Sequence, residues 1–97
     1  MSGLEGTIRA GAMVVDVRTT EEFREEHYPG AVNIPVDQLQ RRLAELGDRR
    51  GAVVLYCASG ARSAYAAKIL RAAGFADVTN AGGLEDLPEY DSAGVRG

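Results

Sequence analysis

The chain has no tryptophan, one cysteine, one histidine and three prolines in 97 residues, and aromatic residues make up only 6% of it. A single cysteine cannot form an intramolecular disulfide, so Cys57 does not staple the fold, and a reducing compartment would leave its thiol free. One cysteine and one histidine are also a poor ligand set for zinc; no metal and no cofactor is expected. Positive charge is in deficit: 11 Lys and Arg stand against 14 Asp and Glu, a net charge of -3. That balance argues against a general nucleic-acid or anionic-membrane surface, both of which rely on excess positive charge. The longest apolar run, AVVLYCA at 52–58, is far short of the roughly 20 residues that span a bilayer. The start, MSGLEGTIRAGAMVV, has no basic segment leading into an apolar one, so a cytoplasmic location is expected. Nothing suggests a large exposed apolar helix face, and a monomer is expected.

What is present is 45% hydrophobic residues, the content of one compact domain over 1–97. AMVVDV at 12–17 reads as a buried strand, followed by a helix that Thr19 and Glu22 open as a capping box and Pro29 and Gly30 close. AVNI at 31–34 is a second short strand. From 36 to 46, Val36, Leu39, Leu43 and Leu46 recur at spacings of three and four, which predicts an amphipathic helix with Gly47 at its exit. AVVLY is apolar throughout, as in a central parallel strand covered on both faces. A further helix from about Ser63 carries Ala66, Ile69, Leu70 and Ala73 on one stripe and ends at Gly74, and ADVTN at 76–80 makes a last strand. AGGLEDLPEY turns at Gly82 and Gly83 into a brief helix, and 91–97 reads as a frayed tail. The first dozen residues carry no clear signal. Strands alternating with helices imply right-handed βαβ units, hence an α/β sandwich with a mainly parallel central sheet between helical layers.

In such sheets ligands gather at the carboxyl ends of strands. Cys57 falls there, followed by the small residues Ala58, Ser59, Gly60 and Ala61, then Arg62 and Ser63. Small residues let the backbone curl and turn its N–H groups inward as an anion cradle, and the helix start adds positive potential. With Arg62 nearby, these features favour the thiolate, the nucleophilic form, without a general base. That matters because nothing in the sequence sets His27 beside Cys57, which makes a Cys-His hydrolase a poor reading. An isolated cysteine after an apolar strand is most often a small buried hydrophobe. Glycine, arginine and a helix start directly after it turn the balance toward chemistry. Arginine is also not the charge a helix N-terminus prefers; Arg62 makes sense there if an anion sits between them.

These residues resemble the single-domain rhodaneses, thiosulfate-type sulfurtransferases. YCASGARS at 56–63 is similar to that family's active loop, a C-x4-R turn opened by cysteine. DVRTTEEF at 16–23 with HYPGAVNIP at 27–35 is similar to its upstream pattern, and NAGGLEDL at 80–87 to its late Gly-Gly turn. The likeness covers about residues 12 to 88. Tyr28 and Glu26 depart from the usual Ile and Gly, and a tryptophan common after Gly-Gly is absent, leaving Leu87 or Tyr90 to fill its space. The resemblance implies a rhodanese-like three-layer sandwich and a two-step transfer. The Cys57 thiolate takes the outer sulfur of thiosulfate, sulfite leaves, and the persulfide passes its sulfur to cyanide or a small or protein thiol. Cys57 would be the nucleophile; Ala58, Ser59, Gly60, Ala61, Arg62 and Ser63 would form the substrate-binding loop, with Arg62 holding the anionic donor. His27, Asp16, Arg18, Gly82 and Gly83 receive structural roles: Asp16 and Arg18 as hydrogen-bonding partners of loops, His27 as an anchor of the turn before Pro29, the glycines for close packing.

Two other readings compete. Cysteine-based phosphatases and arsenate reductases use a loop one residue longer, C-x5-R, so the ring from Cys57 to Arg62 is too tight for a tetrahedral oxyanion. A persulfide carrier or partner-binding module of the same fold would load from a protein donor rather than from thiosulfate.

Overall fold

The computed structural model describes residues 3–88; the expected frayed tail at 91–97 and Tyr90 lie outside the described residues. Four strands, β1 (Met13–Asp16), β2 (Val32–Asn33), β3 (Ala52–Cys57) and β4 (Asp77–Gly83), form one sheet in the order β2-β1-β3-β4. All three pairings are parallel, as a chain of apolar strands separated by helical crossovers requires. Three α-helices accompany them: α1 (Gly3–Arg9), α2 (Thr20–Glu25) and α3 (Ala61–Ala72). No helix among the described residues is long and apolar enough to cross a membrane.

Strand alternation sorts the core into two layers. On one face Val15, Val53, Leu55 and Cys57 meet Leu39 and Leu46 from the segment after β2 and Ala66, Ala67 and Leu70 from α3. On the other, Val14, Val54 and Tyr56 meet Tyr28 and Leu87, with Leu4 and Ile8 of α1 packed against them. The sandwich expected from the sequence is present, and the unassigned N-terminus supplies α1, a helix too short for a strong periodic signal. Leu87 is 7% exposed and packs in that second layer.

Three expectations shift in detail. The segment Val36–Leu46 is not one α-helix but 3₁₀ turns broken at Arg42 (φ -118°, ψ 19°). Its apolar intervals explain this: Val36 to Leu39 and Leu43 to Leu46 are spaced by three, the 3₁₀ repeat, while the interval of four between Leu39 and Leu43 contains the break. Helix α3 starts at Ala61, two residues before Ser63. Strand β4 runs past Asn80 to Gly83, because a bulge leaves Ala81 without a partner while Leu55 pairs with Asn80 and Tyr56 with Gly82. Helix α2 forms where its capping box predicts: Thr19 Oγ1 accepts the Glu22 N–H at 3.2 Å, and Glu22 Oε1 accepts the Thr19 N–H at 3.0 Å.

From β1 the chain moves outward to β2, then crosses back to β3 on the other side of β1. The carboxyl ends of β1 and β3 therefore flank the switch point of the sheet, the place where open α/β sheets bind ligands. Asp16 ends β1 and Cys57 ends β3.

Candidate active site

Cys57 leaves β3 directly into the turn Ala58-Ser59-Gly60, and Gly60 (φ +99°) caps α3. A helix start leaves its first amides without internal carbonyl partners. Here two of them turn back to the thiol: the N–H groups of Gly60 and Ser63 donate to Cys57 Sγ at 2.9 and 3.4 Å. Ser63 Oγ lies 3.4 Å from the same sulfur. The amides of Ala61 and Arg62 have no hydrogen bond to the described residues. Burial pushes the Cys57 thiol up, but the hydroxyl and amide of Ser63 and the amides of Gly60 and Ser59 together outweigh it, leaving the thiol below its ordinary value. Cys57 has no exposed surface, whereas Ala58, Ser59 and Ala61 are exposed.

Arg62 finds its anion inside the chain. Its Nη1 and Nη2 donate to the two carboxylate oxygens of Glu22 at 2.8 and 3.1 Å, a two-pronged pair joining α3 to the first turn of α2. The Arg62 guanidinium holds the Glu22 carboxyl at about 2, assisted by the Thr19 amide. Glu22, which the sequence marks as a cap of α2, is also the partner of Arg62.

Below the loop, a second charge network ties β1 to β3. Asp16, fully buried, receives Arg18 Nε and Nη2 at 2.7 to 3.1 Å and the Tyr56 hydroxyl at 2.7 Å. The Tyr56 oxygen in turn accepts the Tyr28 N–H at 2.9 Å, and Arg18 Nη2 donates to the Glu26 carbonyl. Asp16 and Arg18 thus bind loops together, as expected. Burial, with Asp16 adjoining, pushes the Tyr56 hydroxyl well above the ordinary range of tyrosine. His27 Nδ1 lies 2.8 Å from the Phe23 carbonyl, and its ring stacks on Phe23 at 3.8 Å. It locks the exit of α2.

The end of β4 closes the loop from the other side. A Cβ on Gly83 would stand 2.4 Å from the Ala58 carbonyl oxygen, and one on Gly60 would stand 3.3 Å from Gly82 Cα. Only glycine lets the two backbones approach this closely. Next to this contact a cleft of about 420 Å³ is lined by Arg18, Glu26, Ala58 and the Gly83–Asp86 turn.

The structure therefore gathers Gly60 and Ser63 around the Cys57 sulfur and sets Ala58, Ser59 and Ala61 at the surface. Arg62 is turned to Glu22 rather than left open. Sequence reasoning missed two members of the assembly. Glu22 is doubly used, as cap and as ion-pair partner. Asn80 reaches Ser63 from β4 across to α3, a contact between separate elements that leaves little trace in a single sequence.

The family model described as Rhodanese-like domain matches residues 3–87. The chain is 40% identical over 74 residues to the thiosulfate sulfurtransferase PspE of Escherichia coli (strain K12), covering 75% of this chain and 71% of that protein. Among solved structures, a rhodanese with anions from E. coli superposes with a TM-score of 0.76 at 38% identity, covering 80% of this chain and 95% of that one. The human single domain sulfurtransferase TSTD1 superposes with a TM-score of 0.78 at 28% identity, covering 86% and 87%.

Proposed function

We propose, on the premise that this chain belongs to the rhodanese-like domain family, that it is a sulfurtransferase moving a sulfane sulfur from thiosulfate to a thiophilic acceptor through a persulfide on Cys57. The observation that carries this reading is the sulfur's setting: a lone thiol at the switch point, held by the amides of Gly60 and Ser63 and lowered toward thiolate.

In the first step the Cys57 thiolate attacks the outer sulfur of thiosulfate. The new bond is Sγ–S, the bond that breaks is the sulfur–sulfur bond of the donor, and sulfite leaves with the electron pair. The negative charge then rests on the outer persulfide sulfur. The amides of Ala61 and Arg62, uncommitted among the described residues, are the donors available to it, in the low-dielectric site where fixed dipoles act most strongly. In the second step cyanide or a thiolate attacks that outer sulfur, and Cys57 thiolate departs to close the cycle. Charge and atoms balance in both steps, and no oxidant or metal enters.

The Arg62–Glu22 pair modifies the role inferred for Arg62. Its charge stays beside the loop, but Glu22 offsets most of it, so Arg62 acts here as a brace whose field reaches the donor weakly. The small side chains over Cys57 leave little to displace when the donor enters. A thiol with no second cysteine in this sequence to pair with suits a reducing, cytoplasmic setting.

Steady-state kinetics of thiocyanate formation test the reading. A persulfide cycle gives parallel double-reciprocal lines when thiosulfate and cyanide are varied, because sulfite leaves before cyanide binds. Intersecting lines, or turnover retained in Cys57→Ser, would contradict it.

A further inference from the structure

The Ser63 hydroxyl has one proton and four acceptors within reach. They are Asn80 Oδ1 at 2.6 Å, the Gly60 carbonyl at 3.1 Å, and Cys57 Sγ and the Gly82 carbonyl, both at 3.4 Å. The Asn80 amide cannot be turned over to change this ranking. Its Oδ1 already accepts the Gly82 N–H at 2.9 Å, and its Nδ2 faces the Gly60 carbonyl at 3.5 Å. The atom facing Ser63 is therefore an oxygen with no proton to give, and the short contact requires Ser63 to donate. With its proton committed to Asn80, the Ser63 oxygen offers Cys57 only a lone pair. It accepts from the S–H of the neutral thiol, and it donates to the thiolate only by leaving Asn80.

We propose that Asn80 is a positioning residue of the active loop, holding the Ser63 proton away from Cys57 while the thiol is neutral and yielding it to Sγ when the thiolate forms. The inference rests on Cys57 being the nucleophile. In the resting protein the bonds run from S–H to Ser63 Oγ and from Ser63 O–H to Asn80 Oδ1. When the thiol proton leaves to solvent, Sγ becomes the charged acceptor, and the hydroxyl turns from Asn80 to Sγ. Once sulfur is transferred the charge moves to the outer persulfide atom, Sγ no longer competes, and the hydroxyl returns to Asn80. Asn80 thus sets how readily Cys57 gives up its proton without touching it.

The charged groups around this relay are few. Arg62 on α3 acts on Cys57, and its partner Glu22 on α2 offsets it. Arg18 is paired with Asp16 at the end of β1, and Asp86, after β4, is engaged by the Gly83 N–H. None of them exchanges a hydrogen bond with Ser63 or Asn80.

Because Cys57 is the only cysteine, thiolate can be titrated directly by its ultraviolet absorbance, with Cys57→Ser as the blank. Ser63→Ala removes a donor, so the ratio of thiolate to thiol at fixed pH falls. Asn80→Ala removes the rival acceptor, so the ratio rises, by about threefold to tenfold, the worth of the neutral Ser63–Asn80 bond that no longer has to be given up. Asn80→Asp keeps the acceptor toward Ser63 and Gly82 and adds negative charge, so the ratio falls below wild type. It also tests the relay if Asn80→Ala does not fold, since melting curves recorded beside each titration identify a misfolded variant. If Asn80→Ala moves the ratio down with Ser63→Ala, or if either Asn80 variant leaves it unchanged in a folded protein, the relay is refuted. The titration needs no sulfur donor. Failure of sulfur transfer with these opposite shifts intact would therefore count against the proposed reaction and leave the relay standing.

Discussion

Replacing Gly83 by alanine tests the loop's construction at one atom. Gly83 is extended (φ -96°, ψ 168°), so alanine meets no backbone strain there, and any damage comes from space. The added Cβ would lie 2.4 Å from the Ala58 carbonyl oxygen, while ordinary contact starts at 3.4 Å, so the two backbones must part by about 1 Å. No flexible side chain can absorb this, since the obstacle is a peptide group one residue after the nucleophile. Overpacking of this kind costs about 1–3 kcal/mol in stability. The larger effect falls on chemistry. The Gly60 N–H bond to Sγ is 2.9 Å long, and a displacement of about 1 Å in a catalytic group typically costs about a hundredfold in rate. Gly30 (φ +82°) is the control, with nothing within 4 Å of its added Cβ. Gly30→Ala should cost about 1–2 kcal/mol from left-handed strain and leave turnover unchanged below the melting transition. The assay is thiocyanate formation beside thermal melts of both variants. Gly83→Ala with wild-type turnover, or Gly30→Ala losing as much turnover as Gly83→Ala, would refute the steric account of the loop.

Glu22→Gln should lower the KM for thiosulfate by about twofold to fivefold at low ionic strength, because Arg62 then faces the loop uncompensated, and the gain should fade as salt is raised. The Glu22 carboxyl, held at about 2, lies below its unfolded value. Its contribution is therefore complete above the unfolded value and lost as pH falls through the acid range toward 2. Discounted for the pair's partial exposure, this is about 1 kcal/mol, read as a shallower acid decline of the urea midpoint in Glu22→Gln. Tyr56→Phe removes the hydroxyl that accepts from the Tyr28 amide and donates to Asp16, two buried hydrogen bonds, a loss of about 1–3 kcal/mol by urea unfolding with turnover retained. Leu87→Ala opens a cavity in the layer shared with Val14, Val54 and Tyr56 and should cost about 2–3 kcal/mol by the same measurement.

The sequence made the parallel sheet, α2 and the active loop legible because each has a local cause: β-branched runs, a capping box, a glycine before a helix start. Those signals are complete within a few residues. Apolar spacings of three and four fit an α-helix at Val36–Leu46 as well as 3₁₀ turns, and only the break at Arg42 separates the two. Helix α1 was invisible, since its seven residues hold too few apolar positions to define a face. At the site, Cys57 and its following residues were evident, but the partner of Arg62 was not. Glu22 already had a sufficient local role, and its second one depends on how α2 meets α3. Asn80 was hidden because its bond to Ser63 joins β4 to α3, segments 17 residues apart in the chain. Contacts across the fold, rather than along the chain, are what the sequence did not disclose.

The most direct test of the central claim is the intact mass of the protein after incubation with thiosulfate, and again after addition of cyanide. A gain of one sulfur atom per chain, absent in Cys57→Ser and removed by cyanide with release of an equal amount of thiocyanate, is the predicted result. A chain that takes up no sulfur from thiosulfate, or that takes it up equally in Cys57→Ser, would contradict the account of Cys57 as the atom through which sulfur passes.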